Sequence, residues 1–449
     1  GVFPQVGLAA LAASGDSWSP EADILRKPVG LFYDLDAWEA NLRECQAAFG
    51  PGFLHTSAMK SNGLIPMLSR ARELGFGTEC ASIGEVMHAE RLGFSGDRII
   101  YDSPVKTAAE IRYALEKGLH INADNFEELE VVAECRKLVP NTTSTVGLRI
   151  NPLVGSGEIA ALSVSIPDSK FGVPIRRRED IVAAYKRHDW ITCVHVHSGS
   201  SMTAALLAAG IRNVTDLALD INASLGRHQV SVLDMGGGLV ANYRSEAWHT
   251  DRAASFAEYA RELRATAPLA FPETSGSPFR RVVTEFGQSL HAKSGWLASR
   301  IEYTKPLSSG DGQIATIHFG ADVCLRQCYT KDHNRRLEFY DGETYGAMRP
   351  TDERPMVPVH VGGPLCFEGD IITRDAEAPR LRRGDIVVLR EAGANTLSLY
   401  SRHCLRQVPA AYGYRLRQGS EAGGVSEWVV LKPSEDLEGC SRHWGWAAE

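Results

Sequence analysis

Short apolar runs alternate with longer amphipathic stretches between about residue 50 and residue 290 of this 449-residue chain. Eight of the runs are typical of β-strands, because each is short and is followed by a polar or glycine-rich turn. They end at Lys60, Ser82, Ser103, Asp124, Pro152, Gly199, Gly238 and Gly287. Between them, segments such as 63–74 and 83–93 carry apolar residues three and four positions apart, which predicts helices. Eight strands alternating with helices predict an α/β fold, a (β/α)₈ TIM barrel.

The pattern changes after about residue 290. Short β-branched runs at 314–320, 356–363 and 385–390 are separated by Gly, Pro and Asp, and no helical pattern alternates with them. We therefore predict an all-β domain, a sandwich or barrel, formed by residues 291–449 together with residues 1–29, which could add a strand. The earlier run 30–34 is a ninth strand candidate. We assign it to the entry of the barrel, which then spans 30–290, although a doubly wound sheet would also take it.

Composition and charge limit the kinds of partner that the protein is expected to bind. The chain is 44% hydrophobic and 23% charged, as soluble globular proteins are, and its net charge of -7 includes no long basic run. We expect neither nucleic-acid nor membrane binding, and a small molecule as the partner. Nine cysteines without a repeating spacing favour reduced thiols and a cytoplasmic protein. The opening residues also lack the cationic region of a secretion signal.

Candidate chemistry lies at the predicted strand ends, where the βα loops of a barrel form one face. The polar residues there are Lys60, Glu79, His197, Asp234 and Glu285. A lysine at a strand end is by itself more often a surface residue, but burial that lowers its pKa would make it an amine nucleophile. The glycines at 236–238, with Ser200, would suit a phosphate. A carboxylate at Glu285 could keep a pyridine nitrogen protonated.

Other site types receive less support from the sequence. His195 and His197 lie two positions apart and could equally be a metal pair, but the sequence nominates no third ligand. Cys324 and Cys328 form a pair without a second half-site, and the dinucleotide-like segment 155–160 is not followed by a helical pattern. We therefore expect neither a metal nor a dinucleotide.

Taken together, these segments resemble the fold-type III pyridoxal-phosphate decarboxylases, the group of diaminopimelate, ornithine and arginine decarboxylases. SAMKSN (57–62) looks like the family's K-x-N element, which makes Lys60 the Schiff-base lysine. In HVHSGSS the matching residue is His197, which would stack on the cofactor ring. LDMGGGL (233–239) resembles the turn that binds the phosphate. TEFGQ (284–288) resembles the segment whose carboxylate, here Glu285, faces the pyridine nitrogen. The resemblance implies pyridoxal 5'-phosphate as cofactor and an alanine racemase-like barrel with a C-terminal all-β domain.

The resemblance also implies catalysis across a subunit boundary. GGPLC (362–366) looks like the loop whose cysteine reaches the neighbouring subunit's site, so Cys366, or alternatively Lys60, would return a proton to the carbanion after decarboxylation. The active form would then be a homodimer with shared active sites.

Departures from the family's motifs fall where substrates and phosphate are bound. Gln288 follows Gly287 where the family usually has the arginine of E-P-G-R, and Asn395 replaces the tyrosine of A-G-A-Y. Phe367 stands where an acidic residue usually follows the cysteine, with Glu368 one position later. The element R-P-x-x-Y, which grips a distal carboxylate, is represented by RQCY, from Arg326 to Tyr329.

These matches assign roles by resemblance. The expected cofactor-binding residues are Lys60, Glu79, His197, Ser200, Gly236, Gly237, Gly238, Glu285, Gly287, Gln288 and Asn395, and the expected substrate-binding residues are Arg326, Tyr329, Phe367 and Glu368. We expect decarboxylation of an amino acid or a derived biosynthetic intermediate, not standard diaminopimelate or ornithine. The alternatives are an amino-acid racemase, a non-catalytic pyridoxal-phosphate carrier and a metal-dependent barrel hydrolase.

Overall fold

The computed structural model of the chain describes residues 28–155, 164–329, 335–416 and 425–446. The chain divides into two compact units. One unit comprises Ala40–Asn242 and Ala247–Leu290, and the other comprises Gly1–Glu39, Tyr243–Glu246 and His291–Glu449. Residues 1–27, where we expected an added strand, and most of segment 155–160 lie outside the described residues. The predicted domain boundaries therefore stay a prediction.

The described chain begins with strand β1 (Val29–Asp34) and helix α1 (Leu35–Phe49), after which eight parallel strands form a closed barrel. The barrel strands are β2 (Phe53–Ala58), β3 (Gly77–Cys80), β4 (Ile99–Tyr101), β5 (His120–Ala123), β6 (Val146–Asn151), β8 (Ile191–Val196), β9 (Val232–Asp234) and β10 (Arg281–Phe286). A two-residue strand, β7 (Val173–Pro174), pairs with β6. Pairing of β10 with β2 closes the ring. All eight predicted strands and the TIM barrel are confirmed.

Helices follow the barrel strands and begin at the residues that their sequences indicate. They are α2 (Ile65–Glu73), α3 (Ile83–Arg91), α4 (Ala108–Glu116), α5 (Phe126–Leu138), α6 (Arg178–Arg187), α7 (Ala204–Leu225), α8 (Phe256–Thr266) and α9 (Gln288–His291). Thr107 with Glu110, and Ser255 with Glu258, form capping boxes that satisfy backbone N–H groups at the starts of α4 and α8. The helices predicted at 63–74 and 83–93 are confirmed as α2 and α3.

The second unit consists mainly of two sheets. Its further strands are β11 (Gly295–Arg300), β12 (Tyr303–Pro306), β13 (Gln313–Thr316), β14 (Leu337–Tyr340), β15 (Met356–Gly362), β16 (Ile371–Pro379), β17 (Ile386–Leu389), β18 (Ala410–Leu416) and β19 (Val425–Lys432). The strand orders are β14-β17-β11-β1-β18-β19 and β12-β13-β15-β16. Two short helices accompany them, α10 (Leu325–Tyr329) and α11 (Leu437–His443). The three predicted β-runs are confirmed as β13, β15 and β17.

The assignment of run 30–34 to the barrel entry is wrong. Strand β1 pairs antiparallel with β11 and parallel with β18, in the six-stranded sheet of the second unit. Phe32 stacks on Trp296 with ring centroids 4.2 Å apart, and both belong to a buried aromatic cluster that includes Tyr414. An apolar run of this length suits either sheet, and its aromatic partners lie far away in sequence. Among the described residues, no helix has the length and apolar character needed to cross a bilayer.

Candidate active site

Lys60 lies two residues beyond the end of β2, and its amine is bound by a buried acid. Its Nζ donates to Oε1 of Glu79 on β3; the Glu79 side chain is fully buried, whereas 45% of the Lys60 side chain is exposed. Burial lowers the pKa of Lys60, but the carboxylates of Glu79, Glu285 and Asp102 outweigh it and raise that pKa above its usual value. The expectation of a lowered lysine pKa is therefore wrong, because three strands besides its own deliver carboxylates to it.

Glu79 is the acid nearest to this amine. Burial raises the pKa of Glu79 to about 8, with Glu285 and Asp102 adding to the rise and Lys60 opposing it. Near neutral pH Glu79 can therefore carry a proton of its own. Its contact with Lys60 holds the amine near the end of β2.

Glu285, near the end of β10, presents a buried carboxylate whose oxygens have no hydrogen-bond partner among the described residues. His195 Nε2 and His197 Nδ1 each lie 3.7 Å from Glu285 Oε2. Burial would raise the pKa of Glu285, but the His195 imidazole lowers it well below its usual value. The result is an ionised acceptor with unused lone pairs, which suits a protonated ring nitrogen.

His197 follows β8, and its protonation state is fixed by the backbone. The N–H of Gly237 donates to His197 Nδ1 over 3.2 Å, so Nδ1 is an acceptor and the proton of the ring lies on Nε2. Burial lowers the pKa of His197, which agrees with a neutral imidazole. An uncharged ring held in this way is suited to stacking on a flat cofactor.

The glycine turn after β9 packs too closely for any side chain. An added Cβ on Gly236, Gly237 or Gly238 would lie 2.4, 2.0 or 1.8 Å from the carbonyl oxygen of Val196, Glu285 or Gly199, respectively. Gly236 and Gly238 also have positive φ angles, +64° and +96°. Met202 donates to the Gly238 oxygen over 2.9 Å, so the loop that carries Ser200 is hydrogen-bonded to the turn. The backbone can thus approach a phosphate closely.

Gln288 occupies the position at which the family that the sequence resembles usually has an arginine. Its amide nitrogen donates to the oxygen of Leu239 over 3.2 Å and to Ser201 Oγ over 3.4 Å. The preceding residue, Gly287, must also be small, because a Cβ there would lie 2.9 Å from Ser61 Oγ. Gln288 therefore ties neighbouring loops to the glycine turn and brings no positive charge.

Apart from Asp234, sequence reasoning missed a layer of polar side chains inside the barrel. Arg149 on β6 lies 3.5 Å from Asp102 and 3.8 Å from Asp124, and Asn122 donates to Asp234 over 2.8 Å. Each of these residues lies at or near the end of a predicted strand. Following the alternation of inward and outward side chains back from those ends could have found them.

Asp102, one of the residues that the sequence reasoning missed, completes a group of three side chains that could hold a metal ion. Ligand atoms of Asp102, His195 and Glu285 all lie within 4.8 Å of one another, a spacing that could hold a metal ion. This group uses His195 without His197, unlike the pair considered from the sequence. Burial lowers the pKa of His195, but Asp102, Asp234 and Glu285 outweigh it and raise that pKa to about 9. The raised pKa favours an ion pair among these groups over metal binding, because a metal would first have to displace the proton of His195.

The second unit gathers several other predicted residues. Tyr329 and Phe367 stack with ring centroids 6.0 Å apart, and Phe367 meets His403 edge-on at 6.0 Å. Cys366 is exposed, and a hydrogen bond with Cys404 raises the pKa of its thiol.

Three more predicted residues lie elsewhere in this unit. Glu368 is exposed and pairs with Arg374 at 2.9 Å. Asn395 is half-buried with a positive φ of 52°. Arg326 lies on α10, where burial lowers the pKa of its guanidinium.

Known proteins resemble this chain over most of its length. Residues 35–292 match the family described as pyridoxal-dependent decarboxylase, pyridoxal binding domain. The diaminopimelate decarboxylase of Deinococcus radiodurans is 29% identical over 387 residues, covering 84% of this chain and 88% of that protein. The L-glutamyl-[BtrI acyl-carrier protein] decarboxylase of Niallia circulans is 26% identical over 380 residues, covering 83% of this chain and 85% of that protein. The crystal structure of Helicobacter pylori diaminopimelate decarboxylase complexed with L-lysine superposes with a TM-score of 0.78 and 23% identity, covering 94% of this chain and 98% of that chain.

Proposed function

Because the chain belongs to the pyridoxal-dependent decarboxylase family, we propose that Lys60 anchors pyridoxal 5'-phosphate in the barrel and that the substrate is an amino acid without a free distal ammonium group. The observation that carries the cofactor assignment is Glu285, a buried and ionised carboxylate with unused lone pairs beside Lys60 and His197. That acceptor is what a protonated pyridine nitrogen requires.

The other barrel residues would each contact a different part of the cofactor. Lys60 supplies the amine for the covalent link, and Glu79 holds that amine by accepting a hydrogen bond from it. His197, neutral and fixed by Gly237, would lie against the ring. The turn at 236–238, with Ser200, Gly287 and Gln288, would surround the phosphate. When bound, the cofactor supplies an electron-accepting ring that stabilises the carbanion left by loss of carbon dioxide.

Cys366 is our proposed proton donor. Its hydrogen bond with Cys404 raises the pKa of the Cys366 thiol, which keeps the proton on sulfur at neutral pH. We place it in the active site of a second subunit, so that the enzyme is a homodimer with shared sites, and we keep Asn395 among the cofactor-binding residues. The proposed boundaries remain 30–290 for the cofactor domain and 1–29 with 291–449 for the β domain, except that strand β1 (Val29–Asp34) belongs to the sheet of the β domain. All nine cysteines are free thiols, which supports a cytoplasmic location.

The aromatic cluster of Tyr329, Phe367 and His403 supports the substrate assignment. An aromatic side chain at 367 offers no carboxylate to a distal ammonium group, and Glu368 pairs with Arg374. Arg326 remains a candidate for binding an anionic group of the substrate. One relative is named for a glutamyl group carried on an acyl-carrier protein. By analogy, we propose an amino acid whose distal end is uncharged, bulky or attached to a larger carrier.

The decisive experiment compares two lysines of the barrel. Lys60→Arg keeps the positive charge beside Glu79 but cannot form the covalent link, so it should abolish the visible absorption of the bound cofactor. Lys106→Arg is the matched control, because Lys106 is a buried lysine paired with Glu128 at 2.8 Å, and this variant should retain the absorption. Retained absorption in Lys60→Arg would refute the assignment of Lys60.

A panel of amino acids then tests the reaction. Carbon dioxide release from substrates with acylated or otherwise uncharged distal ends, exceeding that from ornithine, lysine or diaminopimelate, is the expected result. Loss of chirality without gas release would indicate a racemase, and the absence of both reactions would indicate a carrier. Faster release from the basic amino acids would contradict the proposed substrate class.

A further inference from the structure

Next to Glu285 lies a buried imidazole that has no role in the proposed function. His195 on β8 is fully buried, and its Nε2 lies 3.6 Å from Asp102 Oδ2 and 3.7 Å from Glu285 Oε2. Its register partners are Arg149 on β6 and Asp234 on β9. Aligned residues of neighbouring parallel strands point to the same side, so all three side chains face the interior of the barrel.

Neither nitrogen of His195 has a hydrogen-bond partner among the described residues, and both carboxylates of its ion-pair contacts face Nε2. The titratable or charged groups that interact with His195 or with these two carboxylates are Asp102 on the β4 loop, Arg149 on β6, Asp234 on β9, Glu285 on β10, His120 on β5, Lys60 after β2, Glu79 on β3, and Cys193 and His197 of its own segment. Burial opposes a charge on His195, and Asp102, Asp234 and Glu285 outweigh it, which raises the pKa to about 9.

A neutral His195 would leave Asp102 and Glu285 as two carboxylates facing each other in a buried space. Because Asp102 also pairs with Arg149 at 3.5 Å, Glu285 is the one that would then tend to take up a proton. Protonation of Glu285 would remove the negative charge on which its proposed contact with the cofactor depends.

We propose that His195 is a positioning residue, a cationic bridge between Asp102 and Glu285 that keeps Glu285 ionised and fixed in place. Only the consequence for the cofactor rests on the proposed function. The charge on His195 itself is a property of the polypeptide and can be measured without cofactor.

The first test is a histidine NMR titration of the full-length protein freed of cofactor. We expect one histidine to titrate near pH 9, and His195→Gln should remove that signal. Asp102→Asn should shift it to lower pH, because one of the two nearby carboxylates is gone. His120→Gln is the matched control: His120 is a buried barrel histidine whose pKa burial lowers to about 3, so the high-pH signal should remain. If every histidine titrates at or below its ordinary value, the inference is wrong.

The second test measures the affinity for pyridoxal phosphate. Residues that orient a binding group through a second contact typically contribute tenfold or more in affinity, so His195→Gln should weaken cofactor binding by about tenfold. In a Glu285→Gln background the same change should cost little, because no ionised carboxylate remains to be held. An equal loss in both backgrounds would show that His195 supports the fold alone. Should His195→Gln fail to fold, Asp102→Asn takes its place in both tests.

The two tests separate the two proposals. A wild-type protein that shows the high-pH histidine but binds no pyridoxal phosphate would refute the proposed function and leave the charge on His195 established. A protein that binds the cofactor through Lys60 but has no such histidine would refute the inference and leave the proposed function standing.

Discussion

Acid should destabilise the barrel through histidines that are buried in the neutral form, and His120 gives the clearest case. Its side chain is buried on β5, with Nε2 within 3.1 Å of Asn122 Oδ1. Burial lowers its pKa from 6.5 to about 3. Below pH 6.5 the unfolded chain binds a proton at this site that the folded chain excludes, so stability is lost as the pH falls from 6.5 toward 3.

The magnitude follows from the two pKa values. Between pH 7 and pH 5 the unfolded histidine becomes almost fully protonated while the native one stays neutral, which lowers the free energy of unfolding by about 2 kcal/mol for this residue. His55, whose pKa burial lowers to about 4, adds a loss of similar size. His120→Gln removes the first contribution and leaves the second.

Urea unfolding of the cofactor-free protein at pH 7 and pH 5 tests this reasoning. The loss of stability between the two pH values should be about 2 kcal/mol smaller in His120→Gln than in the wild type, whatever its stability at pH 7. His443→Gln, at an exposed position of α11, should behave as the wild type does. An equal loss in His120→Gln and the wild type would refute the assignment of a buried neutral imidazole.

Three further variants probe the candidate site. Gly237→Ala places a Cβ 2.0 Å from the backbone carbonyl oxygen of Glu285 and should weaken pyridoxal phosphate binding in a direct titration. Unchanged affinity would show that the turn does not contact the cofactor. Gln288→Arg adds a cation beside the glycine turn and should tighten that binding about threefold to tenfold, as a charge-assisted hydrogen bond to phosphate would, whereas weaker binding would argue against a phosphate there. Cys366→Ser should slow product protonation by about 100-fold with an unaltered cofactor spectrum, whereas Cys404→Ser, whose hydroxyl can keep the hydrogen bond to Cys366, should retain most activity.

The fold was predictable from the sequence where the information is local. Each barrel strand is a short apolar run that ends in a polar or glycine-rich turn, and counting these runs predicted the closed barrel. The assignment of 30–34 failed because its sheet is decided by Trp296 and Tyr414, more than 250 residues away in sequence. Strand pairing over such distances leaves no periodic signal in the run itself.

The candidate site shows the same division. Lys60, His197, the glycine turn and Glu285 were found because they end strands and follow family motifs. Asp102 was passed over although it ends a predicted strand, because its importance arises only when β4 brings it within 3.6 Å of His195. The pKa of Lys60 was predicted in the wrong direction for a similar reason, since the carboxylates that raise it lie on β3, on β10 and after β4.

Two lysine–glutamate ion pairs of the barrel differ in how far the surrounding acceptors are satisfied within the protein. Lys106 donates to the backbone oxygens of Ser103 and Asn122 over 2.6 and 2.9 Å and pairs with Glu128, of which one oxygen, Oε1, has no hydrogen-bond partner among the described residues. Around Lys60, three buried carboxylate oxygens lack such partners there, Glu79 Oε2 and both oxygens of Glu285.

An unsatisfied buried acceptor costs roughly 1–3 kcal/mol, and a ligand that supplies the missing donor removes that cost. Cofactor binding should therefore stabilise the protein through Glu285 in particular. Glu285→Gln should accordingly reduce the rise in melting temperature caused by pyridoxal phosphate. It should also lower the stability of the cofactor-free protein, because it removes the charge that Glu285 places beside His195 and Lys60. A variant that gains stability without cofactor would instead mean that the cost of the unsatisfied acceptor exceeds the attraction of those two cations.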